Sequence, residues 1–102
     1  MAKKKIAWTE TASKQRREIL KYWTNRNKSP DYAEKLIKIT KDRLKIISKN
    51  PLINKKAEFP DTRVAIMGHF SIFYKNEKEQ IIVTAFWDNR QDPKKLLELL
   101  KK

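Results

Sequence analysis

The sequence predicts an α+β fold in the order strand, helix, helix, strand, strand, strand and short helix. In the first half of the chain, apolar residues recur at the spacing of one face of a helix. The second half contains a set of short β-branched runs, separated by turn residues. A length of 102 residues fits one domain, which we expect to span residues 1–102.

The chain should begin with a strand that leads into a first helix. Residues 4–8 are predicted to form the strand, and Thr9 or Thr11 is placed to cap the helix that follows. A polar stretch over residues 25–28 should end this helix. Its apolar stripe consists of Ala12, Ile19, Leu20 and Trp23.

The second helix carries the strongest apolar period in the chain. We expect Ser29 to cap it, Pro30 to occupy its first position, and Asp31 to interact with its positive end. Asn50–Pro51 should end it. Its apolar positions are Ala33, Leu36, Ile37, Thr40, Leu44 and Ile47. Because the connection between the two helices is short, they should form an antiparallel hairpin.

The second half should form a three-stranded antiparallel meander after a loop over residues 51–61. Gly68 and a polar stretch over residues 76–79 mark the two turns. The last strand is continuously apolar, which is typical of a central strand buried on both faces. The strands are predicted over residues 63–67, 70–74 and 80–87.

A short C-terminal helix should follow the meander. Asp92–Pro93 is a good start signal for a helix over Lys94–Lys101, and the basic tail Lys101–Lys102 is expected to fray. The apolar residues of this helix are Leu96, Leu97, Leu99 and Leu100.

The charge of the chain favours a polyanionic or acidic partner, such as RNA, DNA, the ribosome or an acidic protein. Lys and Arg total 25 against 12 acidic residues, a net charge of +13. Residues 1–50 hold 15 basic and 5 acidic side chains, so their net charge is +10 and they should form most of the basic face. No apolar run is long enough to span a membrane. We therefore expect a cytoplasmic protein with no membrane partner.

Composition excludes several kinds of site. The absence of cysteine excludes disulfides, thiolate metal sites and thiol catalysis. A single histidine, His69, excludes a multi-histidine metal cluster, and a single glycine cannot build a phosphate-binding loop. We expect no cofactor and no metal. His69 has the chemistry of a general acid or base, but an exposed turn residue is the preferred interpretation.

The candidate chemistry lies in basic residues around the sheet. A cluster of Arg and Lys can hold phosphates and stabilise the transition state of RNA cleavage, although ordinary surface charge is the alternative. The register that would bring these residues together is not fixed by the sequence. Asp88 is expected to pair with Arg90 or another base and fix the turn, and the three tryptophans are expected in the core or at its rim. The candidate catalytic residues, for a nuclease only, are Lys55, Lys56, Arg63, His69 and Arg90.

The chain resembles the RelE/ParE toxins over nearly its whole length. The resemblance lies in length, basic charge, the order of elements and several local stretches. These stretches are Trp23 with Ser29–Ala33, Ile47–Pro51, Phe70–Tyr74 and Phe86–Pro93. The resemblance implies a RelE/ParE-like fold and a growth-inhibiting bacterial toxin of a type II toxin–antitoxin system. It also implies neutralisation by an antitoxin that wraps the toxin with an acidic amphipathic segment.

The resemblance leaves three functional alternatives. RelE-like members cleave mRNA in the ribosome without a metal, whereas ParE-like members bind DNA gyrase and are not nucleases. Arg90 matches the arginine after the last core strand, but Ser71 and Leu96 stand where RelE-like nucleases have an arginine and a tyrosine. This favours a ParE-like toxin that binds a topoisomerase. A ribosome-dependent endoribonuclease is the second alternative, and a toxin fold that binds its antitoxin but poisons nothing is the third.

Overall fold

The computed structural model describes residues 4–100, without the side chains of Pro93, Leu97, Leu99 and Leu100. The predicted α+β order is confirmed. The elements are β1 (Lys5–Trp8), α1 (Glu10–Asn27), α2 (Asp31–Lys49), β2 (Arg63–Met67), β3 (Phe70–Asn76), β4 (Gln80–Asp88) and α3 (Pro93–Leu100). The predicted frayed tail at Lys101–Lys102 lies outside the described residues.

The ends of the helices follow local capping chemistry. Thr9 is the cap of α1, because its Oγ1 accepts the N–H of Ala12 at 3.1 Å. Lys28 ends α1 in the left-handed conformation with φ 53°, and its N–H donates to the carbonyl of Thr24. The two helices are therefore joined by a connection of three residues, as the predicted hairpin requires.

The start of α2 lies one residue later than predicted. The carbonyl of Pro30 accepts the N–H of Glu34 at 2.8 Å, so Pro30 precedes the helix rather than occupying its first position. The Ser29 hydroxyl still accepts the N–H of Asp31 at 3.2 Å. The prediction of Ser29 as the capping residue is therefore wrong by one position, because Pro30 precedes the first helical residue, although the Ser29 hydroxyl still accepts the first N–H of α2.

The sheet has the strand order β1-β4-β3-β2. The antiparallel pairs β2–β3 and β3–β4 form the predicted meander. The structure adds a parallel pairing of β1 with β4, in which Trp8 lies opposite Val83. Phe73 pairs with Ala85 whereas Tyr74 pairs with Val83, so Thr84 is an extra residue in β4 and forms a bulge.

The core has one layer on each face of the sheet. The helical hairpin covers one face, where the large fully buried side chains include Phe86, Ile72 and Tyr74. On the other face Trp87 and Ala85 pack with Leu96 of α3. Trp8 and Trp23 pack at the rim of the first cluster, so the expected positions of the three tryptophans are confirmed.

One predicted core position is wrong. Ile37 is 43% exposed. Ser48, near the other end of α2, is buried although it is not among the predicted apolar positions. Leu36, Thr40, Leu44 and Ile47 are all buried, as predicted, and they define the inward face of the helix. Ile37 falls on the flank of that face, because each step along a helix turns the side chain by about 100°.

The loop after α2 is held against the sheet by specific hydrogen bonds. The hydroxyl of the buried Tyr74 donates to the carbonyl of Pro51 at 2.8 Å and accepts from the side chain of Asn54 at 3.3 Å. Burial raises the pKa of Tyr74 above its usual value, although the Asn54 hydrogen bond opposes the shift. The N–H of Val64 donates to the carbonyl of Lys55 at 3.1 Å, so the loop also covers the start of β2.

Among the described helices, we find none with the length and apolar content that crossing a membrane requires.

The assignment of Thr9 as the cap of α1 can be tested by substitution. Thr9→Ala removes the acceptor for the Ala12 N–H and should lower the free energy of unfolding by about 1 kcal/mol. Thr11→Ala is the matched control, because Thr11 lies inside α1 and should change stability by less than about 0.5 kcal/mol. Urea unfolding followed by circular dichroism measures both variants. Equal losses would contradict the assignment of Thr9 as the cap.

Candidate functional site

Arg90 and Asp88 form a two-pronged ion pair where β4 ends. Arg90 donates from Nε to Oδ1 of Asp88 at 2.9 Å and from Nη2 to Oδ2 at 2.8 Å. The backbone N–H of Arg90 also donates to Oδ1 at 2.9 Å. The three hydrogen bonds fix the turn, as predicted for this carboxylate, and they fix the direction of the guanidinium as well.

Two aromatic rings lie close to the same guanidinium. The Cζ atom of Arg90 lies 5.1 Å from the ring centre of Trp23 and 5.9 Å from that of Phe70. The hydrogen bond from Arg90 keeps the pKa of Asp88 below its usual value, while burial opposes this shift. The Arg90 side chain remains 46% exposed. The structure therefore presents a charged, oriented group to solvent.

A groove of about 700 Å³ lies between α1 and the end of β4, beside this ion pair. Its apolar wall includes Ile19, Tyr22, Trp23 and Phe86. Tyr22 is 54% exposed, which is unusual for an aromatic side chain that packs edge-on against a tryptophan, with 5.3 Å between the ring centres. A volume of this size suits a small molecule or a few side chains of another protein.

The groove is lined by more basic than acidic side chains. Arg26 and Arg90 both lie close to Trp23, with Cζ atoms 5.7 Å and 5.1 Å from its ring centre, and Arg26 donates to the Tyr22 hydroxyl at 3.1 Å. Glu18 lines the groove nearer the start of α1. Since Arg90 already neutralises Asp88, the groove retains a surplus of positive charge. Aromatic rings beside arginines are the residue types that contribute most to protein–protein binding.

The structure divides the five candidate catalytic residues between opposite ends of the sheet. Arg63 pairs with Tyr74 at one end of β3, whereas Asp88, next to Arg90, is opposite Phe70 at the other end. Four residues of a strand separate these positions by about 13 Å. A single phosphate site that contains both arginines is therefore not formed.

The basic residues near Arg63 have structural contacts. Arg63 donates from Nη1 to the carbonyl of Asn54 at 2.6 Å and thereby holds the loop. Lys56 forms an isolated antiparallel bridge with Arg63, and both line a small cavity of about 270 Å³. Lys55 is exposed, and its carbonyl accepts the N–H of Val64. These residues stabilise the end of the sheet that lies away from the groove.

His69 lies at the groove end of the sheet, in the turn between β2 and β3. It is an exposed residue of the two-residue turn between β2 and β3, next to Gly68, whose φ is 61°. Its backbone carbonyl accepts the N–H of Asn89 at 2.7 Å, which extends the β3–β4 pairing past the strand end. The preferred interpretation as an exposed turn residue is therefore confirmed.

Ser71 and Leu96 are both packing residues. The Ser71 hydroxyl donates to Oδ1 of Asn89 at 2.8 Å and is almost completely buried. Leu96 is 5% exposed and packs in the cluster with Trp87 on the side of the sheet away from the helical hairpin. Neither position presents a charged or phenolic group to solvent.

The residues of α1 that line the groove were not identified from the sequence. Trp23 was assigned to the core, and Gln15, Tyr22 and Arg26 were not singled out. A partial signal exists, because Tyr22 and Arg26 are four residues apart and so lie on one face of the helix. The groove itself depends on the distance between α1 and β4, and this distance cannot be predicted from a local sequence pattern.

A family model and a solved structure both match this chain. The family model described as "ParE toxin of type II toxin-antitoxin system, parDE" matches residues 6–93. A solved structure titled "Chromosomal ParDE TA system from P. aeruginosa" matches the fold with a TM-score of 0.70 and 16% sequence identity. The match covers 83% of this chain and 95% of the other. A search of curated proteins finds no match.

The Asp88–Arg90 pair predicts a specific dependence of stability on acid. Because the pKa of Asp88 is lower in the folded chain than in the unfolded chain, its contribution is present above the unfolded pKa and is lost as pH falls through the folded pKa. Asp88→Asn should therefore destabilise the chain at pH 7, and this effect should decline as pH falls through the folded pKa of Asp88. Urea unfolding at a series of pH values measures this difference. Asp42→Asn, on the exposed side of α2, is the control and should not show this decline.

Proposed function

The chain belongs to the ParE toxin family, and we propose that it inhibits a topoisomerase such as DNA gyrase by protein–protein contact in the bacterial cytoplasm. In its resting state an acidic antitoxin binds and neutralises it. Its toxicity does not depend on cutting RNA.

The separation of Arg63 from Arg90 is the observation that carries this proposal. Metal-free cleavage of RNA needs several fixed groups around one phosphate. Here the basic residues lie at two ends of the sheet, and Arg63 holds a loop carbonyl. The buried Ser71 and Leu96 support the same interpretation, because neither can replace the missing arginine or tyrosine.

The antitoxin as resting partner is supported by charge and by the groove. A net charge of +13 attracts an acidic protein through long-range electrostatic forces. The groove beside β4 adds an apolar aromatic wall, and Arg26 and Lys95 are among the residues that line it. An amphipathic acidic segment is complementary to both features, since it offers apolar side chains to the wall and carboxylates to the cations.

The proposal predicts inhibition of gyrase without loss of mRNA. The purified chain should inhibit ATP-dependent supercoiling of a plasmid by DNA gyrase. Adding its antitoxin, which we expect to be the product of a short acidic open reading frame in a neighbouring gene, should restore supercoiling. In cells, induction of the chain alone should trigger the SOS response while translated mRNA stays intact. Supercoiling assays on agarose gels and primer extension on abundant mRNAs measure the two effects.

Two outcomes of this experiment would contradict the proposal. One is mRNA cleavage at codon boundaries that is lost in Arg90→Ala but kept in Arg17→Ala, a matched change on the exposed face of α1. The other is normal growth and normal supercoiling at full expression of the folded chain, which would indicate a toxin fold without toxic activity. Failure of the chain to bind the neighbouring acidic protein would contradict the antitoxin part alone.

A further inference from the structure

The outward side of the helical hairpin carries two rows of lysines, which we call the lysine face. In α1, Lys14 and Lys21 lie two turns apart and therefore share one side of the helix, and Lys28 continues this row at the helix end. The steps of three and four residues in α2 likewise place a row on one side. The α2 row consists of Lys38, Lys41, Lys45 and Lys49. The lysines of both rows are exposed.

The charge of the lysine face is not neutralised by contacts within the described part of the chain. Residues 10–49 hold 12 basic and 5 acidic side chains, a net charge of +7. Over residues 4–100, the one ion pair is that between Asp88 and Arg90, at the end of β4. In the same range, Lys4 is the only lysine whose amino group donates a hydrogen bond. The two rows therefore present their full positive charge to solvent.

The dimensions of the lysine face match a contact with a nucleic-acid duplex. From Lys38 to Lys49 the α2 row is about 16 Å long, since a helix rises 1.5 Å per residue. The two helices pack against each other, so the rows run side by side at the usual helix separation of about 8–10 Å. Duplex DNA carries one negative charge per about 1.7 Å of its axis, which is about nine charges over this length. Several lysines can therefore contact phosphates at the same time.

The residue types of the lysine face favour a duplex backbone over a protein or a single strand. Lysine is depleted at protein–protein interfaces, whereas it is a common contact of phosphate groups. Proteins that bind single strands stack the bases on aromatic rings. Tyr22 and Tyr32, the exposed tyrosines of the hairpin, instead pack against Trp23 in the wall of the groove. The lysine face thus offers charge without a surface for base stacking.

The lysine face is separate from the groove beside β4. The α1 residues that line the groove are Gln15, Glu18, Ile19, Tyr22, Trp23 and Arg26. Because each residue turns the helix by about 100°, Lys14 and Lys21 lie about a third of a turn from the stripe formed by Gln15, Tyr22 and Arg26. A partner confined to the groove therefore leaves the lysine face accessible.

We propose that the lysine face binds the phosphate backbone of duplex DNA without reading its sequence. This inference rests on the proposed inhibition of a topoisomerase, whose substrate is duplex DNA, and adds a direct contact between the toxin and that DNA. Phosphate contacts fix the position of a protein on a duplex but carry no sequence information. The lysine face thereby holds the toxin on the DNA on which the enzyme acts.

Fluorescence anisotropy with a labelled DNA duplex of arbitrary sequence tests the lysine face. Lys38→Gln/Lys41→Gln/Lys45→Gln removes three charges from the α2 row. The matched control, Lys55→Gln/Lys78→Gln/Lys94→Gln, removes three exposed charges outside the hairpin. Glutamine and lysine have similar helix propensities, so urea unfolding of the hairpin variant should match that of the unaltered chain.

The hairpin variant should bind the duplex about ten-fold more weakly than the control variant. Its affinity should also depend less on salt between about 50 and 200 mM, by an amount that corresponds to two or three fewer phosphate contacts. Equal losses in the two variants would overturn the lysine face, because they would reflect net charge alone. Displacement of the duplex by single-stranded RNA at lower concentrations than by unlabelled duplex DNA would overturn the assignment of the ligand.

Supercoiling assays with DNA gyrase separate this inference from the proposed function. The hairpin variant should inhibit supercoiling more weakly than the control variant. Inhibition by an unaltered chain that does not bind the duplex at low salt would overturn the lysine face but leave the proposed function intact. Binding of the duplex without inhibition of gyrase would support the lysine face and contradict the proposed function. Weaker inhibition with unchanged DNA binding would overturn the inference, because the lysines would then contact the enzyme itself.

Discussion

The burial of β4 on both of its faces is the constraint on which the rest of the structure depends. Phe86 packs under the helical hairpin and Trp87 packs against α3, although the two residues are adjacent in sequence. A strand that must be covered twice requires a layer on each side of the sheet. The chain supplies these layers from its first half and from its last helix, and the end of this strand then determines the position of Arg90.

The sequence was most informative where structure depends on neighbouring residues. Gly68 is predicted as a turn residue, Thr9 is one of two candidate caps and Arg90 is one candidate partner of Asp88, because a tight turn, a cap and a contact two residues apart are local events. Ile37 was misplaced because the apolar stripe of α2 extends slightly beyond the part that the sheet covers. The spacing of apolar residues shows which side of a helix is apolar, but it does not show how much of that side the sheet covers.

The candidate site was less predictable, because it depends on strand register and on the position of α1. No pattern near Arg63 or Arg90 shows that they lie at opposite ends of β3, since this follows from the pairing of both strands with residues elsewhere in the chain. The parallel pairing of β1 with β4 connects residues more than 70 positions apart, such as Trp8 and Val83. The groove exists only because this pairing stops before β4 does.

The bulge at Thr84 has a consequence for how the family can tolerate insertions and deletions. It reverses the alternation of side chains along β4, so Val83 and Phe86 lie on the same face although they are three residues apart. Deleting the extra residue Thr84 would leave the pairs Tyr74–Val83 and Phe73–Ala85 in place and keep Trp87 on its present face. A loss of one residue is therefore compatible with the bulge as well as with the exposed part of the loop after α2, whereas one in the regular part of β4 would shift the side chains that follow it.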